Sequence, residues 1–426
     1  MLRSMYSAVS GLKAHQAEMD VIGNNIANVN TVGFKASRMT FKEIFNQTIK
    51  GASAPQGNGG GTNPQQVGLG VAIASIDTLF TNGGSQRTDN PTDLSIDGNG
   101  FFIVNNGGAN LYTRAGNFSF DSNGDLVTPD GYKVMGWISQ DGKTVNTDTG
   151  NLSPISIKDW SSTSPSSTTL IQLGGNLDAG TDVGSSVSYN VTIYDSQGGS
   201  HVATIQFTNQ FTKKNSAGNW DVSITNFDGT DLSSPVNIGS IKFDSAGLID
   251  QTNPSSFTVS SSSLLGANTN TNATLGDGTN NITIDLSKLT MYSSSTDIRE
   301  LSKDGNEAGS IESINIDQYG VVSGIYSNGR TQVIGQIALA DFQNTQGLEK
   351  VGNTMFINTV NSGDPMIGAA NTGTRGTINP GTLEMSNVDL ANEFANMITT
   401  QRGFEANSKV ITTSDEILQD LVNLKR

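Results

Sequence analysis

The sequence predicts a mainly β, multidomain protein with long α-helical N- and C-terminal segments pairing as a coiled coil, its β domains nested and discontinuous. Three observations carry this prediction. Apolar residues recur every seventh position at both ends of the chain, the a/d pattern of a coiled-coil seam. Between the ends, short runs alternate polar and apolar residues, with turn signals about every 8–12 residues, as in all-β domains. Tracts rich in Ser, Thr and Asn then divide the β region into blocks, the second inserted within the first.

The elements follow in order. The N-terminal helix is expected over residues 1–33. Met5, Leu12, Met19 and Ile26 form one row of its stripe, and Ala8, His15, Ile22 and Val29 the interleaved row. Residues 34–75 read as an extended connector, because the stretch 51–70 (GASAPQGNGGGTNPQQVGLG) has no period. A first β domain is assigned to 76–154 and 289–385, on runs such as DLSIDGNGFFIVNN and LYTRAGNFSFD. An inserted outer β domain is assigned to 155–288, with SYNVTIYDSQGGSHVATIQF as a hairpin and SSTSPSSTT, at 161–169, as a hinge. FDSNGDL, FDSAGLI and IDQYGVV repeat one device: Asp folds onto its own backbone and Gly supplies a positive φ. The C-terminal helix, 386–426, is expected to pair with 1–33. Leu390, Met397, Phe404, Ile411 and Leu418 lie seven apart, and Phe394 and Val422 sit on a neighbouring row with Gln401, Ser408 and Asp415. Ser386, Asn387 or Asp389 can cap this helix, and Glu393 can reach back to the cap.

Composition removes much conventional chemistry. The chain has 426 residues, 24 Lys plus Arg against 39 Asp plus Glu, two His and no Cys. Without Cys there are no disulfides, thiolate metal sites or Cys nucleophiles. A net charge of −15 argues against nucleic acid as a partner. No apolar run is long enough to span a membrane, and the first residues lack the apolar core of a Sec-type signal.

The candidate sites are weak. GWISQDGKT leaves five residues between Gly136 and Gly142-Lys143-Thr144, one more than a phosphate-binding loop uses, and lies within a hairpin pattern. Asp121, Asn123 and Asp125 have the opening spacing of a calcium loop, but Gly124 falls at the fourth position and Tyr132 at the twelfth. His15 and His201 are unrelated in position, and GNGGG at Gly57–Gly61 reads as a flexible loop. No catalytic residue, metal ligand or cofactor site is expected. The terminal stripes are the informative feature. They are either core within one subunit or surfaces for self-assembly, and their place at the chain ends favours assembly.

Particular residues then carry a resemblance. SGLKAHQAEMDVIGNNIANVNTVGFK, Ser10 to Lys35, resembles the N-terminal signature of the bacterial flagellar rod and hook axial proteins. Asn24, Asn25, Ala27, Asn28, Gly33, Phe34 and Lys35 fall on its NNxANxxxxGFK pattern. The C-terminal segment resembles the family's terminal helix, with Asn387, Val388, Gln401, Arg402, Phe404 and Asn407 in place. TRAGNFSFDSNGDLVTPDGY is similar to its shared β motif, and the insert with SNGRTQVIGQIALADFQNTQGLEKVGNTMF is similar to hook-type members. The resemblance implies a non-enzymatic, extracellular structural subunit of the flagellar basal body and hook. It would self-assemble into a curved hollow tube, a universal joint between rod and filament. The assembly contacts would be Met5, Leu12, Met19, Ile22, Ile26, Leu390, Phe394, Met397, Phe404, Ile411, Leu418 and Val422. The implied partners are further copies of the chain, the distal rod protein, the hook cap, the hook–filament junction proteins and the type III export apparatus, with no nucleic acid. A secreted β-rich fibre or adhesin, or a distal rod protein of the same family, is the alternative.

Overall fold

The computed structural model describes residues 2–55, 60–147, 152–210, 219–250, 254–260, 263–264, 274–276 and 281–423. The protein is mainly β with one long helix at each end. The chain divides into two compact units. The first comprises Met1–Lys158, Ile314–Gly324 and Gln332–Arg426, and the second Asp159–Ser313 and Ile325–Thr331.

In the first unit, helix α1 (Leu2–Ala27) ends six residues before the expected position 33. The cause is local. Asn28 turns back on the helix, its Nδ2 donating to Asn24 Oδ1 at 2.7 Å and to the Asn24 carbonyl at 2.9 Å. Gly33 follows in the left-handed region at φ +68, which an L side chain resists. Helix α2 (Leu390–Asn423) starts where Asp389 Oδ1 accepts the Ala391 N–H at 2.9 Å, so Asp389 is the cap and Asn387 is released for other contacts. The connector is more ordered than its composition suggests. Ser37–Glu43 pairs antiparallel with Val71–Thr78, and Asn46–Lys50 pairs with Gln65–Gly68. The aperiodic stretch hid this pairing because its partners lie far apart in sequence, from Lys50 with Gln65 to Ser37 with Thr78. Residues 56–59, part of the Gly-rich loop, lie outside the described residues.

The β part of this unit centres on strands Thr331–Ile337, Lys133–Ile138, Phe101–Asn105, Asn110–Thr113, Met355–Ile357 and Glu349–Gly352, hydrogen-bonded in that order. Phe101 to Val104 are all buried, because both faces of their strand are covered. Phe101 and Ile103 join Tyr112, Trp137, Phe342 and Phe356 in one core. Phe102 meets Phe118 edge-on, with ring centroids 5.1 Å apart.

The second unit packs two four-stranded sheets. One runs Ser186–Tyr194, Ser200–Asn209, Asn219–Phe227 and Thr230–Lys242 in sequence order; the other runs Ser256–Ser260, Asn281–Thr290, Leu170–Asn176 and Asp297–Lys303. Both contribute to a single core that includes Leu173, Ile193, Phe207, Trp220, Val222 and Leu286. Strict alternation of buried and half-buried residues in Asn219–Ile224 is the period-2 pattern of a strand with one face inward.

The repeated turn is built as the sequence implies. Asp121 Oδ1 accepts the N–H groups of Asn123 and Asp125 at 2.9 and 2.8 Å. Asp244 does the same for Ala246 and Leu248 at 2.8 and 2.9 Å, and Asp317 for Tyr319 and Val321 at 2.8 and 2.9 Å. A fourth copy stands at Asp195, which accepts from Gln197 and Gly199 at 2.8 and 2.7 Å. Each turn contains a glycine at positive φ: Gly124, Gly247, Gly320 or Gly198. Asp121 therefore serves its own backbone. In the GWISQDGKT run, Asp141 Oδ1 likewise takes the Lys143 and Thr144 N–H groups at 2.8 and 2.7 Å, the donors that a phosphate cradle would need. These backbone N–H groups, Thr144's first, hold the Asp141 carboxyl well below the usual range. Replacing Asp244 with Ala removes two turn bonds and is expected to lower stability by about 1–2 kcal/mol. Asp244→Asn keeps the acceptor and is expected to cost distinctly less, both read from urea denaturation midpoints.

Candidate functional site

The two chain ends meet in the first unit, and that meeting is built in two layers. The upper layer is the helix pair. A Cβ on Gly11 would stand 2.9 Å from Asn407 Nδ2, and one on Gly403 would stand 2.8 Å from His15 Nε2. Asn25 Nδ2 donates to Glu393 Oε1 at 3.0 Å. Position rises along α1 as it falls along α2, so the helices are antiparallel and in constant register. The buried residues of the pair are small or polar: Ala8, Ala14 and Asn25 on α1, Thr400 and Ser414 on α2, with Ile22 the large exception. The two glycines leave room for the Asn407 and His15 side chains of the facing helix.

The expected stripe residues are distributed around this seam. Ile22 is buried, and Met5, Leu12, Met19, Ile26, Met397, Phe404, Ile411 and Leu418 are half-buried. Leu390, Phe394 and Val422 stay exposed at 38, 50 and 67%. The sequence reading missed further exposed apolar residues: Tyr6, Val9, Ile398, Val410 and Ile417. Val410 and Ile417 are seven apart, a second row that was available to find.

The lower layer is a buried polar lock. Lys35, fully buried, places Nζ 2.6 Å from Glu384 Oε1 and donates to the Thr81 carbonyl at 2.7 Å. Arg114 reaches Glu384 Oε2 at 3.3 Å and the Gly98 carbonyl at 2.9 Å. The Gly83 N–H donates to Glu384 Oε1 at 3.0 Å. Burial pushes the Lys35 ammonium and the Arg114 guanidinium below their ordinary values, against the pull of Glu384. Above the charges, Asn25 exchanges two hydrogen bonds with the Ser37 backbone, at 2.8 and 2.9 Å. Asn387 does comparable work from the C-terminal side, accepting the Ala36 N–H at 2.8 Å and donating to the Leu79 carbonyl at 2.8 Å.

The signature residues thus divide. Asn25, Gly33, Phe34, Lys35 and Asn387 converge on the lock. Gly33 donates its N–H to the Glu384 carbonyl at 2.8 Å, and a Cβ there would fall 2.5 Å from the Ala115 nitrogen. The Phe34 ring lies 5.2 Å below Lys350 Nζ, which also donates to the Lys35 carbonyl at 3.1 Å. Asn24 and Asn28 bond each other at the end of α1, where Ala27 is exposed. Val388 is half-buried, Gln401 is exposed, and Arg402 pairs with Glu405 at 2.8 Å on the surface. Asn407 donates to the Gly403 carbonyl at 3.0 Å. Glu393, expected to reach back to its cap, meets Asn25 instead; its carboxyl is raised, by burial first, against that hydrogen bond. Arg114, Glu384 and Lys350 were not singled out from the sequence. Arg114 lies within the quoted TRAG run, whereas Glu384 had no local signal.

Among the described residues no group of three or more His, Cys, Asp or Glu is placed to hold a metal, and no helix is long and apolar enough to cross a membrane. What the geometry defines is a structural module that clamps its own termini together. Family models match at 5–35 (flagella basal body rod protein), 95–164 (flagellar hook protein FlgE/F/G D1 domain), 176–306 (flagellar basal body protein FlaE D2 domain) and 379–424 (flagellar basal body rod FlgEFG protein C-terminal). The chain is 41% identical to the flagellar hook protein FlgE of Borreliella burgdorferi and 36% identical to that of Treponema pallidum, each over the full length of both chains. It is 33% identical to the flagellar basal-body rod protein FlgG of Bacillus subtilis, again over both full lengths. The crystal structure of Helicobacter pylori flagellar hook protein FlgE2 matches with a TM-score of 0.51 at 17% identity, over 70% of this chain and all of that one, a likeness of fold. The chain belongs to the flagellar hook protein family. That family is structural and is not known for catalysis.

Breaking one partner of a buried ion pair strands the other. Lys35→Met and Glu384→Gln are each expected to destabilise the first unit by about 3–5 kcal/mol, read as an earlier unfolding transition by circular dichroism. Arg402→Ala, on the surface, is expected to change stability by less than about 1 kcal/mol.

Proposed function

We propose that the chain is a hook subunit that assembles with copies of itself, through its terminal helices, into a curved hollow tube acting as a universal joint between rod and filament. The observation that carries this reading is the apolar surface left on the helix pair. Leu390, Phe394 and Ile398 recur every four residues on α2 and are exposed, as are Tyr6 and Val9 on α1. The seam inside one subunit uses Ala, Gly, Thr, Ser and Asn, so these larger side chains are spare. Apolar surface of that kind marks association. Glu393, Met397, Thr400, Phe404, Asn407, Ile411, Ser414 and Leu418 alternate steps of four and three along α2, which supports a coiled-coil geometry for the terminal pair.

In this reading Ile22 packs within the pair, while Met5, Leu12, Met19, Ile26, Met397, Phe404, Ile411 and Leu418, half-buried beside the seam, join the exposed Leu390, Phe394 and Val422 in reaching neighbouring copies. The β domains are read as nested, 155–288 within 76–154 and 289–385. Their polar surfaces suit sliding, since water replaces each weak contact as it breaks. Export unfolded through the type III apparatus, an extracellular position, and contacts with the distal rod protein, the hook cap and the hook–filament junction proteins complete the proposal.

The test is a Leu390→Asp, Phe394→Asp double variant. Both side chains are exposed in the single chain, so folding is expected to be kept and polymerisation lost, seen as monomers by sedimentation and electron microscopy. Tubes from this variant at the wild-type protein concentration would contradict the proposal.

A further inference from the structure

His201 opens the strand Ser200–Asn209 in the second unit and lies between two carboxylates. Its Nδ1 is 2.6 Å from Asp228 Oδ2 and its Nε2 is 3.3 Å from Asp195 Oδ2. Its ring stacks on Phe227, centroids 5.4 Å apart and planes 17° from parallel. The two acids belong to different turns. Asp195 caps the turn that ends at Gly199. Asp228, at φ +52, holds the Val202 N–H with its Oδ1 at 2.9 Å, a left-handed conformation that a non-glycine residue adopts at some cost.

The donor count decides the protonation state this geometry calls for. Ionised carboxylate oxygens only accept, and a neutral imidazole carries one N–H. A neutral ring therefore satisfies one acid and turns a lone pair toward the other; the imidazolium satisfies both. Other charged groups in the vicinity are engaged elsewhere. Lys303 sits over the Tyr194 ring at 5.2 Å and pairs with Glu300 at 3.3 Å, and Asp231 accepts from Asn226 at 2.9 Å.

We propose that His201 is a proton-operated clasp that ties the Asp195–Gly199 turn to the turn at Asp228 when charged and releases one of them when neutral. The tie extends to a third segment. The Ser196 N–H donates to the Thr274 carbonyl at 2.9 Å, and the Thr274 N–H donates to Ser196 Oγ at 3.0 Å. Burial pushes the His201 pKa down, but the hydrogen bonds to Asp228 and Asp195 outweigh it and raise the net value. A group whose pKa rises on folding stabilises fully below its unfolded value, about 6.5 for His. That contribution fades as pH climbs through the raised folded value, so the clasp tightens in acid and loosens in mild alkali.

Hydrogen exchange of the full-length protein tests this, measured from pH 5.5 to 9 and corrected for intrinsic rates. Peptides covering 195–202 and 227–230 are expected to lose about tenfold of protection over that range, the weight of one charge-assisted bond. In His201→Gln their protection is expected to be low and flat with pH. Asp228→Asn removes the demand for a second proton while keeping the fold, and its transition is expected at lower pH than in the wild type. Equal pH profiles in the wild type and His201→Gln, or an unshifted transition in Asp228→Asn, would overturn the clasp.

Discussion

The first unit depends on one buried charge cluster. Lys35 and Glu384 are 349 positions apart, and nothing local holds them near each other. Closing so long a loop of free chain costs roughly 5 kcal/mol in entropy alone, more than a lone exposed ion pair returns. The contact stands because it is not alone. Glu384 also receives Arg114 and the Gly83 N–H, while Asn387 and Asn25 bond the backbone of the two residues after Lys35, Ala36 and Ser37. Desolvating two cations and a carboxylate adds little net stability in itself. Its consequence is specificity: any register of the chain ends that separates Glu384 from Lys35 leaves buried charge unpaired. The helix pair inherits this definition, because Asn25 joins the lock to Glu393 on α2.

That arrangement explains why the helix seam can be built from small residues. A pair held only by its own contacts needs large apolar side chains at the interface. Here the register is set below, so Gly11 and Gly403 can make room for Asn407 and His15 of the facing helix, and Leu390, Phe394 and Ile398 are left exposed. The residues that order the subunit are thereby different from the large apolar ones it leaves exposed.

Much of this was legible in the sequence, for reasons that differ by element. The Asp-x-x-Gly turns were readable because a short polar side chain and a glycine three residues on determine a turn locally. Asp195 follows the same rule and was overlooked only as a repeat. The helices were readable from their period, but a seven-residue period names a stripe and not its partner. Thus Met397 and Phe394, on neighbouring rows, were both assigned to assembly contacts, although only the first is half-buried in the subunit. The end of α1 at Ala27 was missed because Val29 continues the period while Asn28 and Gly33 break the backbone. The paired strands of the connector and the role of Glu384 had no local signature, since both rest on contacts between residues distant in sequence. Asn25, Lys35 and Asn387 were found by resemblance, and only the fold shows that they bond the same few backbone groups.

We attribute the order of both chain ends to the polar lock rather than to the helices themselves. Hydrogen exchange mapped along Glu384→Gln measures this directly, because residue 384 lies in neither helix. If the lock governs, protection falls together along Leu2–Ala27 and Leu390–Asn423 while the strands of the second unit keep theirs. If both helices stay as protected as in the wild type, their own seam is sufficient and the lock does not order them.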